Sequence, residues 1–243
     1  MNRIRSFVVS LIFILAFISI YNYFHTPAEE RENVTISRVI DGDTIVLNDS
    51  RHVRLLNINT PEKGTPHAVE SKSFLQKYEG KSISMDVQGT DKYDRTLARL
   101  YAPEYLNLKM VELGLAPKFL VDASELKLFS KAEETAIANA LGIWVKSEYS
   151  NCLQGKVNQK DELVKIELSC NISTRNFTIK DESRKTYILP DMTNSFILHT
   201  FTGEDNATDL FWNSNTDIWN NDRDTLYIFD RNGSLISFYS YGY

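Results

Sequence analysis

Residues 34–62 read VTISRVIDGDTIVLNDSRHVRLLNINTPE, and this stretch decides the fold. Its segments 34–40, 44–47 and 53–58 are short β-branched and apolar runs, the composition of strands. Asn48-Asp49-Ser50 separates the last two as a turn. Working outward, 68–78 predicts a helix that ends at Gly80, and 82–87 and 96–101 predict two more strands around the polar loop QGTDKYD. Segment 105–113 predicts a second helix stopped at Gly114. Segment 122–141 predicts a third, with Asp122 and Glu125 at capping-box spacing. Three strands, a helix, two strands and two helices suit a small closed five-stranded β-barrel of the OB type with three helices.

The pattern changes near residue 150. Val164, Ile166 and Leu168 alternate with Lys165 and Glu167, and Phe177 and Ile179 alternate with Thr178 and Lys180. Runs at 196–201, 225–229 and 235–239 continue the strand signal, and Asp230-Arg-Asn-Gly233 reads as a hairpin turn. Short strands without helices predict a C-terminal Ig-like β-sandwich, and the chain is mainly β with helices. The expected division is 1–30, 31–148 and 152–243.

At the N-terminus, 7–24 (FVVSLIFILAFISIYNYF) carries no charge and follows Arg3 and Arg5. As an N-terminal hydrophobic helix it would reach roughly 27 Å, close to the hydrocarbon thickness of a bilayer. Tyr21, Tyr23 and Phe24 suit an interfacial belt, and the exit lacks a small-x-small cleavage site. The reading is an uncleaved membrane anchor with the bulk of the chain outside the cell; the alternative is a signal segment and a secreted protein.

A net charge of −5 argues against one broad basic face for coating nucleic acid, though a local cationic cleft remains compatible with it. Residues 151–243 carry 9 basic and 13 acidic residues, so that half is a poor electrostatic binder of nucleic acid. Cys152 and Cys170 are either one bridge or two free thiols, with the bridge favoured in an exported chain. His25, His52, His67 and His199 form no metal-binding spacing.

Three clusters carry charge at strand ends or in loops: Asp41-Gly-Asp-Thr44, Arg54 through Glu62, and Asp91-Lys-Tyr-Asp-Arg95. Alone, the first is a turn and Arg54 a surface ion-pair residue. Together they supply what phosphodiester cleavage needs. Arg54 and Arg95 can fork onto phosphate oxygens and stay charged at any working pH. Glu62 can orient or deprotonate a water. Asp43 offers a hard oxygen to Ca²⁺.

The stretch 34–144 resembles the staphylococcal-nuclease-like (thermonuclease) family through VIDGDTIVL, RLLNINTPE, DKYDR, KMVELGLA and LGIW. The resemblance implies Ca²⁺ held by Asp43, Asn59 and the Thr60 carbonyl, with Asp41 acting through water. It implies Glu62 as general base, Arg54 and Arg95 as phosphate clamps, and Lys92 and Tyr93 against a terminal phosphate of the substrate. Asn59 stands where the family usually has Asp, which predicts weaker calcium binding, millimolar rather than micromolar. Asp94 stands where Gly is frequent, and Phe119 alone stands where base-stacking tyrosines are frequent.

Farther on, Trp219-Asn-Asn and Asp222 through Gly233 resemble the closing motif of lamin-tail domains, with Phe177 to Asp181 and Tyr187 to Pro190 in the same pattern. That resemblance implies a binding or localisation module of unknown ligand, with no catalytic residue. The expectation is a monomeric, membrane-tethered, Ca²⁺-dependent nuclease that hydrolyses DNA or RNA with little sequence preference. The rival is a catalytically weak surface module binding nucleic acid or protein on the same barrel. A third reading makes the tail primary, as a surface adhesion or scaffold factor.

Overall fold

Five strands, β1 (Glu32–Val39), β2 (Thr44–Leu47), β3 (His52–Leu55), β4 (Ser82–Thr90) and β5 (Thr96–Tyr101), close into a barrel in the order β1-β2-β3-β5-β4. The structure is a computed structural model that describes residues 31–243, so the expected membrane segment at 7–24 lies outside the described residues. Among the described residues no helix is long and apolar enough to cross a membrane.

The barrel closes because alternate residues of each strand are apolar and point inward. Ile36, Ile45, Val53, Leu55, Met85, Ala98 and Leu100 are almost wholly buried. Three helices, α1 (Ala68–Gln76), α2 (Leu106–Glu112) and α3 (Leu126–Ala138), add Leu75, Met110, Val111 and Phe129 to the same core. Each such side chain contributes about 1.5–3 kcal/mol over its exposed state. Arg54 lies between Val53 and Leu55, so the strand period sends it away from the core they share. Strand β3 pairs antiparallel with β2, setting Thr44 opposite Arg54, and parallel with β5, setting Leu97 on its other side.

Several boundaries differ from the sequence expectation, three of them near the site. Strand β3 ends at Leu55, because the chain turns through Asn57 at φ +67°. Strand β4 runs on to Thr90, where it still pairs with Thr96. Helix α3 starts at Leu126 rather than Asp122, and no capping box forms, because the Glu125 carboxylate accepts instead from Asn57 Nδ2 at 2.7 Å and Arg99 Nε at 2.8 Å.

Beyond residue 150, β6 (Leu153–Asn158), β7 (Leu163–Leu168), β10 (Phe196–His199) and β11 (Asp209–Phe211) form one sheet in the order β11-β10-β7-β6. Strands β8 (Thr178–Lys180), β9 (Thr186–Ile188), β12 (Asp224–Phe229) and β13 (Leu235–Tyr241) form a second, in the order β13-β12-β8-β9. The two sheets bury one apolar cluster, with Val164, Ile166 and Leu198 from the first and Ile179, Leu226 and Ile228 from the second. Cys152 and Cys170 are bridged, just before β6 and just after β7.

Asn33–Tyr243 forms one compact unit, so the barrel and the two sheets belong together. Ala136, Trp144, Tyr227 and Leu235 form an apolar cluster spanning the two parts. Between them, Leu235 donates its N–H to Val145 O at 3.1 Å, and Ser147 donates to Leu235 O at 2.9 Å. The connecting segment therefore pairs with the start of β13.

Candidate active site

The turn from β1 to β2 carries Asp41 and Asp43 to the barrel rim. Ile40 N–H donates to Thr44 O at 2.9 Å, and Asp43 N–H donates to Asp41 Oδ1 at 3.1 Å. Gly42 is required there: a Cβ would come within 2.6 Å of Ser71 Cβ and 2.7 Å of Thr60 Oγ1. The turn can thus press against α1 and the segment after β3. Thr60 returns the contact, donating both N–H and Oγ1–H to Asp43 Oδ2 at 2.9 Å each. Thr44 Oγ1–H donates to Asp43 Oδ1 at 3.2 Å. Asp43 is 1% exposed, and its satisfaction comes from these neighbours.

Arg54 is also buried, and burial disfavours its cation while Asp43 favours it. Its Nε lies 3.3 Å from Asp43 Oδ1, Nη1 donates to Leu55 O, and Nη2 donates to Ile58 O at 2.9 Å and Asn59 Oδ1 at 3.1 Å. The amide of Asn59 is held from both sides, because its Nδ2 donates to the Glu182 carbonyl at 2.7 Å. Asp41 has its proton affinity raised, first by burial and then by the charge of Asp43.

Glu62 follows Pro61 in a turn closed by Thr65, whose N–H donates to Glu62 O at 2.9 Å. Its side chain is half exposed. Arg95 sits on a separate loop that Asp91 organises: Oδ1 accepts from Tyr93 N and Arg95 N, and Oδ2 from Arg95 Nε at 2.8 Å. The Arg95 guanidinium pairs with Asp91, Nη2 lying 2.7 Å from Oδ2, and lines a separate cleft with His52 and Tyr93. Lys92 and Tyr93 flank Arg95, with Lys92 Nζ 5.1 Å from the Tyr93 ring centroid. Asp94 adopts φ +61°, a conformation that Asp tolerates better than most residues.

One further side chain enters from the second sheet. Arg184 Nη1 lies 2.5 Å from Glu62 Oε1, and its Nη2 lies 3.8 Å from Asp43 Oδ2. Nothing in the local sequence marks it, because the contact with Glu62 spans 122 positions. Asn59, Glu62, Pro117, Lys180 and Arg184 line one cleft of about 250 Å³ between the barrel and that sheet. The structure therefore gathers Asp41, Asp43, Arg54, Asn59, Thr60 and Glu62 at the barrel rim, with Arg95, Lys92 and Tyr93 on an adjoining loop.

Paired acids facing guanidiniums on a closed barrel agree with the comparisons. The staphylococcal nuclease homologue family matches residues 52–146. An uncharacterized endonuclease of Haemophilus influenzae is 30% identical over 140 residues, covering 55% of this chain and 78% of that protein. The chain belongs to the staphylococcal nuclease homologue family. A thermonuclease of Staphylococcus intermedius is 31% identical over 128 residues, 46% of this chain and 76% of its own. An uncharacterized endonuclease of Escherichia coli O157:H7 is 37% identical over 87 residues, 33% of this chain and 57% of its own. As a member of that family the protein is a nuclease, a hydrolase. The family match stops at residue 146, before the two C-terminal sheets.

Proposed function

We propose that this nuclease hydrolyses phosphodiester bonds of DNA or RNA with little sequence preference, in a Ca²⁺-dependent reaction, outside the cell. The observation that carries the reading is one continuous charge network, from Arg54 to Asp43 to Arg184 to Glu62, at the mouth of the barrel.

The donor set fits a hard cation in its chemistry. Asp41 and Asp43 are carboxylates two residues apart; the proton affinity of Asp41 is raised first by burial and then by the charge of Asp43, and a bound cation would offset the second. Asp43 and the Thr60 carbonyl would hold the ion and Asp41 would act through water. Asn59, whose amide is engaged by Arg54 and the Glu182 carbonyl, would have to let go of one of them to join. Among the described residues no group of three His, Cys, Asp or Glu side chains is placed to hold a metal together. Calcium, when bound, supplies positive charge to a phosphate oxygen.

The rest of the chemistry falls to the chain. Glu62, exposed at the cleft, takes a proton from water at a carboxylate oxygen. Arg54 and Arg95 stabilise charge that grows on the phosphate, a role worth several kcal/mol when removed. Tyr93, a residue 68% exposed whose ring lies beside Lys92, offers a surface to a terminal phosphate or base. The two C-terminal sheets fit a lamin-tail-like, Ig-like module for binding or localisation. The Cys152–Cys170 bridge suits an oxidising compartment, and hence a tethered or secreted protein.

The test is digestion of single-stranded DNA by the purified full chain in millimolar calcium, against an EDTA control. Calcium-dependent digestion abolished by Glu62→Gln or Arg95→Ala is expected. Tight binding with no digestion at any calcium concentration would replace the enzyme with a binding module.

A further inference from the structure

The second sheet reaches into the nuclease site with a guanidinium, and the loop behind that guanidinium is constructed around it. Lys180 and Thr186 pair at the end of the β8–β9 hairpin, and residues 181–185 form its loop. Asp181 is fully buried and organises the loop from inside. Its Oδ1 accepts from Lys185 N at 2.6 Å, its Oδ2 from Ser183 Oγ at 2.5 Å, and its carbonyl from Arg184 N at 3.3 Å. The next residue pins the loop to the barrel: the Glu182 carbonyl accepts from Asn59 Nδ2 at 2.7 Å, and Glu182 Oε2 accepts from Tyr243 Oη at 2.6 Å. Arg184 itself sits at φ +83°, where glycine is at ease and a side-chain-bearing residue is not.

A plain fastener between the two parts is the ordinary reading of a cross-contact ion pair. Here the fastening is done elsewhere, by the cluster of Trp144, Tyr227 and Leu235 and by Arg223 Nη1 donating to Val121 O at 2.9 Å. A pair with Glu62, half exposed, adds little to stability. Arg184 instead repeats what Arg54 does. Each guanidinium rests against an acid that the nuclease reading uses, Arg54 on Asp43 and Arg184 on Glu62 and Asp43, and Arg184 lines the cleft onto which Glu62 opens. Lys180, lining the same cleft, adds a further cation, although burial and then Arg184 lower its proton affinity.

We propose that Arg184 is a substrate-binding residue of the nuclease site, contributed by the C-terminal sheets, which takes a phosphate of the nucleic-acid strand and in doing so releases Glu62 to act on water. The proposal rests on the nuclease reading above. It makes the C-terminal sheets part of the enzyme rather than an appended module.

The test uses the full chain and a labelled single-stranded oligonucleotide, with two variants, Arg184→Gly and Arg184→Lys. Glycine suits the backbone at φ +83°, so this variant removes the guanidinium while easing the loop. Binding is read by anisotropy in EDTA over a salt series, and cleavage by initial rates in calcium. Arg184→Gly is expected to bind about tenfold more weakly. Its plot of log affinity against log salt should be shallower by about 0.7, the share of one phosphate contact on a single strand. Arg184→Lys should keep that slope yet lower kcat/KM several-fold, because a point charge replaces a fork. An unchanged affinity and slope in Arg184→Gly, or a raised kcat/KM, would overturn the proposal and leave Arg184 a fastener or a plug. If Arg184→Gly does not fold, an unchanged kcat/KM in Arg184→Lys overturns it as well. Failure of the nuclease reading looks different: wild type and Glu62→Gln would both leave the oligonucleotide intact, while the salt slope would still report on Arg184.

Discussion

Both halves of the molecule bury acids, and the two sets keep different company. In the barrel, Asp43 faces Arg54 and Arg184, and Asp41 faces Asp43. In the C-terminal sheets, Asp181 and Asp224 spend their oxygens on backbone N–H groups, one of them Glu182 N on another loop, and on a hydroxyl. Asp224 accepts from Asn220 N at 3.0 Å and Thr225 N at 2.7 Å, and braces the turn before its strand. Burial of a carboxylate is thus no mark of chemistry; the partners are. Asp43 also has fold partners in Thr60 and Thr44, and beyond them two guanidiniums that a substrate phosphate could draw on, whereas the partners of Asp181 and Asp224 belong to the fold.

Four measurements would sharpen or break that contrast. The largest effect belongs to the barrel. Glu62→Gln should lower kcat by about 10²–10⁴-fold with little change in unfolding by urea, because its side chain is half exposed. An equal loss of stability would erase the distinction. Next, Asp181→Ala should cost about 2–3 kcal/mol in urea unfolding, because Lys185 N and Ser183 Oγ lose their acceptor.

The third measurement is a pH series. Burial pushes Glu182 up to about 7 and Asp224 up to about 6. Between the ordinary carboxylate range and those values the folded chain holds protons that the unfolded chain has released. Stability should therefore fall as pH rises from about 5 to 8, by about 1–2 kcal/mol. Melting temperatures across that range check the sign, and Glu182→Gln should flatten the curve. The smallest effect is Asp94→Gly. Relief of φ +61° should raise stability by about 0.5–1 kcal/mol, or a few degrees of melting temperature.

The barrel was legible because its signals are local. Short β-branched and apolar runs mark the strands, and the turn at Asp41 to Thr44 lies within one short stretch of sequence. The bridge of Cys152 to Cys170 stayed open in sequence, because two cysteines pair or not according to how β6 and β7 meet. The start of α3 was misplaced for a tertiary reason. Glu125 has the spacing of a cap, yet Arg99 and Asn57 offer its carboxylate more than a helix N-terminus does. Arg184 lay beyond sequence reasoning altogether. DESRK at 181–185 looks like any polar hairpin loop, and only the packing of sheet against barrel gives it Glu62 as a neighbour.

Residues 145–147 carry a consequence of their own. By lying alongside Leu235, they give up the freedom that a connector between two folds normally keeps. Swapping those few positions for a floppy Gly-Ser tether would preserve both halves but leave their alignment to the Trp144 cluster and Arg223 alone, and a cleft assembled from both would have a looser far wall. For anyone grafting this tail onto another enzyme, the joint has to travel with it.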